Sequence, residues 1–291
     1  MATYKPFRDA IQRLKREYDV LSRGKESLLQ MIDEAEVPDS VYNSNAIENS
    51  TLTLPETEKI LLEMELSRRV NFREVFEAKN LARVVSYLRT RSKETELTKE
   101  FILLLHQMLL GGINDPIAGR FRAKGEYVRV GTHVAPPPEK VEPMMETLLM
   151  EYTGDLDAYF LDNIAKFHLD FETIHPFRDG NGRIGRVLIN YQLIRLGFPG
   201  LIIRNKEKKD YYMAFDEYHY KGKKTKAMER VIALALLEAL HKRVTYLQGK
   251  TIIPLSEYSK KIRKSAPAFF NAALRQTIPA FREKGMWKIG E

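Results

Sequence analysis

The amino-acid sequence predicts a mainly α fold: a helical bundle carrying one β-hairpin, followed by a small winged-helix-like unit. Three observations predict this. Apolar residues recur every three or four positions through most of the chain, which is the period of a helix with one buried face. A single stretch in the first two hundred residues switches to alternation between glycines, the period of a strand pair. After Pro254 the pattern breaks into short pieces. With 291 residues, 44% of them hydrophobic, the chain can bury a core without staples.

Taken in order, Phe7, Ile11, Leu14, Tyr18 and Leu21 mark a first helix. The period resumes after Gly24 with Leu28, Leu29 and Ile32, and Pro38 ends it. The next stretch, DSVYNSNAIENS, is short and polar for a core helix. A helix then starts near Pro55, a favourable first-turn position with Glu56 and Glu58 beside it. NFREVFEAKNLARVVSYLRTRS reads as a long amphipathic helix. LTKEFILLLHQMLLGG reads as another, with Thr98 as N-cap and Gly111 and Gly112 as the stop. In GRFRAKGEYVRVGTHVAPPP, Tyr127, Arg129 and Gly131 alternate with Val128, Val130 and Thr132, which predicts the hairpin. Helices resume in PEKVEPMMETLLMEYTG, LDAYFLDNIAKFHLDFETI, NGRIGRVLINYQLIRLG, KKDYYMAFDEYHY and TKAMERVIALALLEALHKRVTYLQG. The final segment predicts two short helices and a small strand or wing. The organisation is thus an N-terminal helical region over 1–95, a central body over 96–250 and a C-terminal unit over 251–291, with no internal repeat.

Composition excludes several chemistries. There is no cysteine, so no disulfide framework, thiolate zinc site or cysteine nucleophile exists. The first twenty residues carry charges every few positions and lack an apolar h-region. The longest apolar runs, FILLLHQMLL and VIALALLEAL, are too short to span a bilayer. The expectation is a cytoplasmic protein with no membrane partner. The net charge of +8 is compatible with phosphate or nucleic-acid partners, but scattered lysines usually form a solvated surface.

One loop concentrates chemistry. Between FETI and the helix that resumes at Ile184 lies HPFRDGNG, in which Pro176, Gly180 and Gly182 break the helix. The loop delivers its backbone onto a helix N-terminus, whose unpaired N–H groups carry partial positive charge. Glycines let a phosphate approach closely, and Arg183 and Arg186, three residues apart, reach one side of the helix. Together these make a cradle for a polyphosphate. It is no Walker loop, because the lysine and hydroxyl residue are missing and a helix precedes it. Asp179 is placed to carry magnesium. His175 is placed to take a proton from an incoming hydroxyl. Phe177, between them, is expected to turn inward as an anchor, and the Asn181 amide to donate to a phosphate oxygen.

The run HPFRDGNGRIGR resembles the signature of the Fic (filamentation induced by cAMP) family, HxFx(D/E)GNGRxxR. Every fixed position is met, by His175, Phe177, Asp179, Gly180, Asn181, Gly182, Arg183 and Arg186. GRFRAKGEYVRVGTHVAPPPEKV resembles the family's flap hairpin, and DYYMAF the segment that closes over the nucleotide base. The resemblance implies a Fic-type bundle with its catalytic core over 96–250 and a protein adenylyltransferase: a target hydroxyl attacks the α-phosphate of ATP, AMP is transferred and pyrophosphate leaves. It implies His175 as general base and Asp179 as the Mg2+ ligand. It implies Gly180, Asn181, Gly182, Arg183 and Arg186 around the phosphates, and Tyr211 and Tyr212 at the adenosine. Val128, Arg129, Val130 and Gly131 would align an extended segment of the target by strand addition. A homodimer would also fit the family.

SNAIEN, Ser44 to Asn49, resembles the family's inhibitory motif. Carried over, Glu48 pairs with Arg186 and crowds out the γ-phosphate. Taken alone, Ser44 and Glu48 read as a cap and a solvated acid; the complete signature downstream favours the brake. His168 is expected to be a packed, hydrogen-bonded residue, His106 a core or boundary residue, His133 an exposed hairpin residue and Arg178 solvent-exposed. One tyrosine of Tyr211 and Tyr212 is expected to face the core. No histidine pair has metal-ligand spacing. The alternative reading is a DNA-binding regulator with a nucleotide-sensing pocket. Its weakness is the C-terminal helix APAFFNAALRQTIPAF, which is mostly apolar and carries only Arg275, where a DNA-reading helix needs Arg and Lys. Removal of AMP from a target, or transfer of another phosphate moiety, are variants within the enzyme reading.

Overall fold

The structure, a computed structural model, describes residues 3–64, 70–92, 94–154 and 158–291. In chain order the helices are α1 Lys5–Leu21, α2 Glu26–Ala35, α3 Val37–Ile47, α4 Leu54–Glu58, α5 Phe72–Arg91 and α6 Lys99–Leu110. A hairpin of β1 Arg129–Val130 and β2 His133–Val134 follows. Then come α7 Pro138–Gly154, α8 Phe160–Ile174, α9 Asn181–Arg195, α10 Lys208–Tyr220 and α11 Lys226–Leu247. The chain ends with β3 Ile252–Pro254, α12 Leu255–Lys261, α13 Ala266–Leu274, β4 Ala280–Glu283 and β5 Met286–Gly290.

Helices α8 and α9 form the centre. On one side, Phe171 and Leu188 pack into a cluster with Leu81, Val84, Leu105, Leu109 and Met145 from α5, α6 and α7. On the other, Leu169 and Ile189 join Ile11 and Leu14 of α1 and Ile232 and Leu236 of α11. Each helix thus buries apolar residues on two sides, and this double burial fixes the loop between the two.

Local signals explain the ends. Thr98 caps α6 by accepting from Phe101 N–H at 3.2 Å. Thr53 and Glu56 form a reciprocal capping box at the start of α4. Pro38 both follows α2 and sits in the first turn of α3. The stretch read as too polar for a core helix is in fact the buried helix α3. Asn43 is partnered at both ends: it donates to Asp39 at 2.8 Å and accepts from Asn205 N–H at 3.0 Å, while Asn45 Oδ1 is buried without a partner. Burial of such groups is tolerated when each finds its bond.

The hairpin pairs Arg129 with Val134 and Val130 with His133. It is shorter than the alternation predicts, because the chain turns back at Gly131, φ +57, whose carbonyl accepts from Arg129 Nε at 2.7 Å. The C-terminal unit has its own apolar cluster around Leu255, Ala273, Ala280 and Ile289. It holds an antiparallel sheet in the order β3-β5-β4, more strand than the sequence predicts. Buried charges tie it to the body. Arg282 on β4 bonds Glu238 of α11, Glu238 bonds Arg204 at 3.0 Å, and Arg204 bonds Asp39 of α3 at 2.7 Å. Helix α13 itself contains no lysine or arginine. Among the described residues no helix is long and apolar enough to cross a membrane.

Candidate active site

The loop from His175 to Gly180 is held by its own residues. His175 ends α8 in the left-handed region, φ 50 and ψ 61, with its N–H on Phe171 O. Gly180, φ +86, turns the chain into α9. Phe177 is fully buried and stacks on His106, ring centroids 3.7 Å apart. Burying such a ring is worth about 1.5–3 kcal/mol, so it anchors the loop and does not face a ligand. Asn181 closes the turn: its Oδ1 accepts from Phe177 N–H and its Nδ2 donates to Phe177 O, both at 2.8 Å. The Asn181 side chain thus shapes the loop in addition to the phosphate contact expected of it. One of the two Nδ2 hydrogens is used inside the loop and the other is left to donate.

Behind the turn the two arginines diverge in partners. Arg183 reaches Asp179 at 3.0 Å and Glu77 of α5 at 3.2 Å. Arg73, one turn before Glu77, bonds the other Asp179 oxygen at 2.5 Å. Arg186 is buried and turns toward α3. Its Nε donates to Ser44 Oγ at 3.0 Å, and one terminal nitrogen donates to Ser44 O and Glu48 Oε1, each at 2.8 Å. Burial works against the Arg186 charge, and Glu48 more than offsets it, so the guanidinium stays firmly protonated. The Glu48 carboxylate also lies directly over Gly182; a β-carbon there would run into it. An internal anion thus sits at the start of α9, where an external one would bind. Asn49, in the left-handed region at φ 68, accepts from Lys208 Nζ at 2.7 Å.

The two tyrosines separate. Tyr211 is buried, and its hydroxyl meets His168 Nε2 at 2.8 Å and Arg186 at 3.5 Å. It supports the arginine from behind and is closed to a nucleotide, which corrects that half of the expectation. Tyr212 is 38% exposed and donates to Ile47 O at 3.2 Å. The flap residues Arg129 and Val130 are exposed, and Val128 is half-buried. His133 is not an exposed loop residue: it stacks on His219 at 4.2 Å and bonds Thr173 O at 3.0 Å. Arg178 points to solvent, 3.8 Å from Glu126.

Residues 96–193 match the model of the Fic/DOC family. The chain contains a Fic domain. It is similar to "Protein adenylyltransferase Fic" of Nematostella vectensis, 32% identical over 74% of this chain and 50% of the relative. It is also similar to "Protein adenylyltransferase fic-1" of Caenorhabditis elegans, 33% identical over 59% of this chain and 34% of the relative. The chain therefore spans a third to a half of the length of these curated relatives. Its fold resembles a Fic domain containing signaling protein from Bacteroides thetaiotaomicron, with TM-score 0.75 and 24% identity over 83% of this chain and 98% of the other. It also resembles Fic-1 of C. elegans, with TM-score 0.70 and 23% identity over 81% and 71%.

Three residues shape this loop in ways the sequence did not indicate, although His106 was expected in the core and is buried there. Arg122 is buried and donates to His175 O at 2.9 Å, Ile174 O at 3.2 Å, Glu126 O at 3.1 Å and Pro136 O at 2.9 Å. One guanidinium thereby ties the flap's base to the catalytic loop. His106 takes Gly119 N–H on Nδ1 at 3.0 Å, so Nε2 carries the hydrogen that bonds Asp179 O at 3.0 Å. Gly185 lets α8 and α9 touch: a β-carbon there would fall 2.5 Å from Glu172 Oε1. Only the last had a sequence signal, a glycine inside a helix.

Burial depresses both His106 and His168 to about 4. Their unfolded value is near 6.5. Between these values the unfolded chain binds protons that the folded chain does not, so stability rises with pH through the window. The stabilisation is complete above about pH 6.5 and is lost as pH falls toward 4, at ~3 kcal/mol per histidine. The melting temperature is expected to drop steadily from pH 7 to pH 4.5, and less in His168→Gln. A flat profile over that range would contradict the assignment.

Proposed function

We propose that this chain is an autoinhibited protein adenylyltransferase, which moves AMP from ATP to a hydroxyl side chain of a target protein. The observation that carries this is the Glu48 carboxylate at the start of α9, bonded to Arg186 and lying over Gly182. A chain places its own anion there when the site is built for one.

In the reaction, His175 takes the proton of the target hydroxyl, whose oxygen attacks the α-phosphorus. The bond from that phosphorus to the bridging oxygen breaks, and pyrophosphate leaves. The first turn of α9 receives the phosphates through backbone N–H groups, with Gly180 and Gly182 giving the close approach. Arg183 and Arg186 neutralise the outer phosphates, Arg186 only once Glu48 has left it. Such transfers depend on positioning and charge neutralisation. Tyr212 flanks the adenosine, and the flap from Val128 to Gly131 offers its exposed edge to an extended target segment.

Asp179 fits a Mg2+ ion. Its side chain is 31% exposed at the cleft, and magnesium binds through one or two carboxylates plus substrate phosphates. Among the described residues no group of three or more acids or histidines could hold a metal. Bound there, the ion would supply charge neutralisation. Residues 1–95 then act as the brake, 96–250 as the catalytic core and 251–291 as a docking unit.

The reading is tested by incubating the chain with magnesium and ATP labelled at the α- or the γ-phosphate. Label on protein from the α-position alone is expected. Label from the γ-position would mean phosphate transfer and overturn it.

A further inference from the structure

A general base of the histidine type needs one defined tautomer. The backbone at His175 does not provide it, since its left-handed conformation constrains only the main chain. The ring's Nδ1 is buried without a hydrogen-bond partner. The carboxylate nearest to it is Glu172, with Oε2 at 3.6 Å, and both side chains are nearly closed to solvent. Glu172 Oε1 also lacks a partner. A carboxylate taken out of water in this way persists only if something nearby uses its charge.

The surroundings keep it ionised. Burial pushes the Glu172 carboxyl up, but His175 beside it and the nearby Arg186 guanidinium are among the groups that more than offset this and hold it below the usual range. His168 also faces this carboxylate: its Nε2 meets Tyr211, but its Nδ1 is buried without a partner and lies with Glu172 Oε1 around Gly185; the ion-pair contact of Glu172 is with His175. Gly185 provides the room on the α9 side. Arg122 fixes the carbonyls of Ile174 and His175, so the pair can adjust only through its side chains.

We propose that Glu172 is the positioning residue of the base: its carboxylate accepts Nδ1–H of His175 and leaves the Nε2 lone pair to take the hydroxyl proton. At 3.6 Å the two groups stand just beyond hydrogen-bond distance, and catalytic contacts of this kind close when substrate binds. The carboxylate then also stabilises the imidazolium formed at the transition state. His175 afterwards returns the proton to solvent, and Glu172 is never protonated. This proposal rests on the adenylyltransferase reading of the same site.

The test uses Glu172→Gln, which keeps the shape and removes the charge, and Glu172→Asp, in a chain that also carries Glu48→Gly. Two readouts are taken. The first is the tautomer of His175 by nitrogen-15 NMR without ATP, on protein of unchanged melting temperature. The second is AMP transfer against pH. Glutamine is expected to lose the Nδ1–H preference, lower kcat about tenfold or more with KM for ATP unchanged, and move the acid limb of kcat/KM to lower pH. Aspartate is expected to retain the tautomer and part of the rate, and carries the test if the glutamine chain does not fold. An unchanged tautomer and pH profile in Glu172→Gln would overturn the proposal. A tautomer that depends on Glu172 in a protein that transfers no AMP would support the coupling and overturn the adenylyltransferase reading instead.

Discussion

Replacing Glu48 by glycine is expected to raise AMP transfer by roughly 10- to 100-fold. The pair it breaks is a charge-assisted bond at 2.8 Å to a buried guanidinium. Bonds of that kind contribute about 1.5–3 kcal/mol, and each ~1.4 kcal/mol is a factor of ten in rate. The Glu48 side chain is 36% exposed, so solvent screens it and the lower half of that range is the better expectation. The change should not unfold α3. Residue 48 is the helix C-cap, where glycine is well tolerated, and Ser44 still bonds Arg186. Glu48→Gln serves as a control: it keeps the side chain and removes the charge, so an intermediate gain is expected. Label incorporated per minute from α-labelled ATP checks both. If Glu48→Gly works no faster than the parent while binding ATP equally well, residues 44–49 are only a cap and a solvated acid.

The parts of this molecule that were legible in the sequence are those where a backbone constraint writes itself into residue types. Gly180 and Gly182 had to be glycines because of a positive φ at one and the Glu48 carboxylate at the other. Thr98 marked a helix start because the first N–H groups of a helix need an acceptor, whereas Pro38, read only as a stop, also opens α3. Helix α3 was harder. Its apolar residues give no clear stripe, and what holds it inside is a set of partners far along the chain, Arg186, Arg204 and Asn205. No local window contains them. The same holds for Arg122, which looks like one more arginine in a basic hairpin, yet it binds four carbonyls on segments up to 53 residues away.

Asn181 shows a second service that the motif does not spell out. A buried amide must satisfy both its ends, and Phe177 offers a donor and an acceptor four residues away. The side chain therefore shapes the loop and keeps one Nδ2 hydrogen over. The pairs Arg73–Asp179 and Arg183–Glu77 extend this logic. Each charged group that would meet a polyphosphate is already matched by an internal charge. The site is therefore electrically balanced, so on the proposed reading ATP would have to exchange partners, not merely enter.

Removing the His175 imidazole should have the larger effect. In a chain that carries Glu48→Gly, His175→Ala is expected to lower AMP transfer by ~10²–10⁴-fold, the usual contribution of a positioned general base. ATP binding should persist, because the phosphate cradle belongs to α9 and to Arg183 and Arg186. Alanine is not a clean test by itself. Residue 175 has φ 50, and a left-handed residue other than glycine or asparagine is strained. Histidine already accepts that strain, so alanine adds little of it, but His175→Asn meets the same backbone with a side chain suited to it and still lacks a base. Both variants should melt close to the parent, since the ring lies at the loop's edge and Phe177, not His175, is the buried anchor. Equal loss of transfer in both, with melting temperature and ATP affinity retained, assigns the defect to proton transfer. Transfer that survives in the asparagine variant would move the base elsewhere, and with it the role of the whole loop.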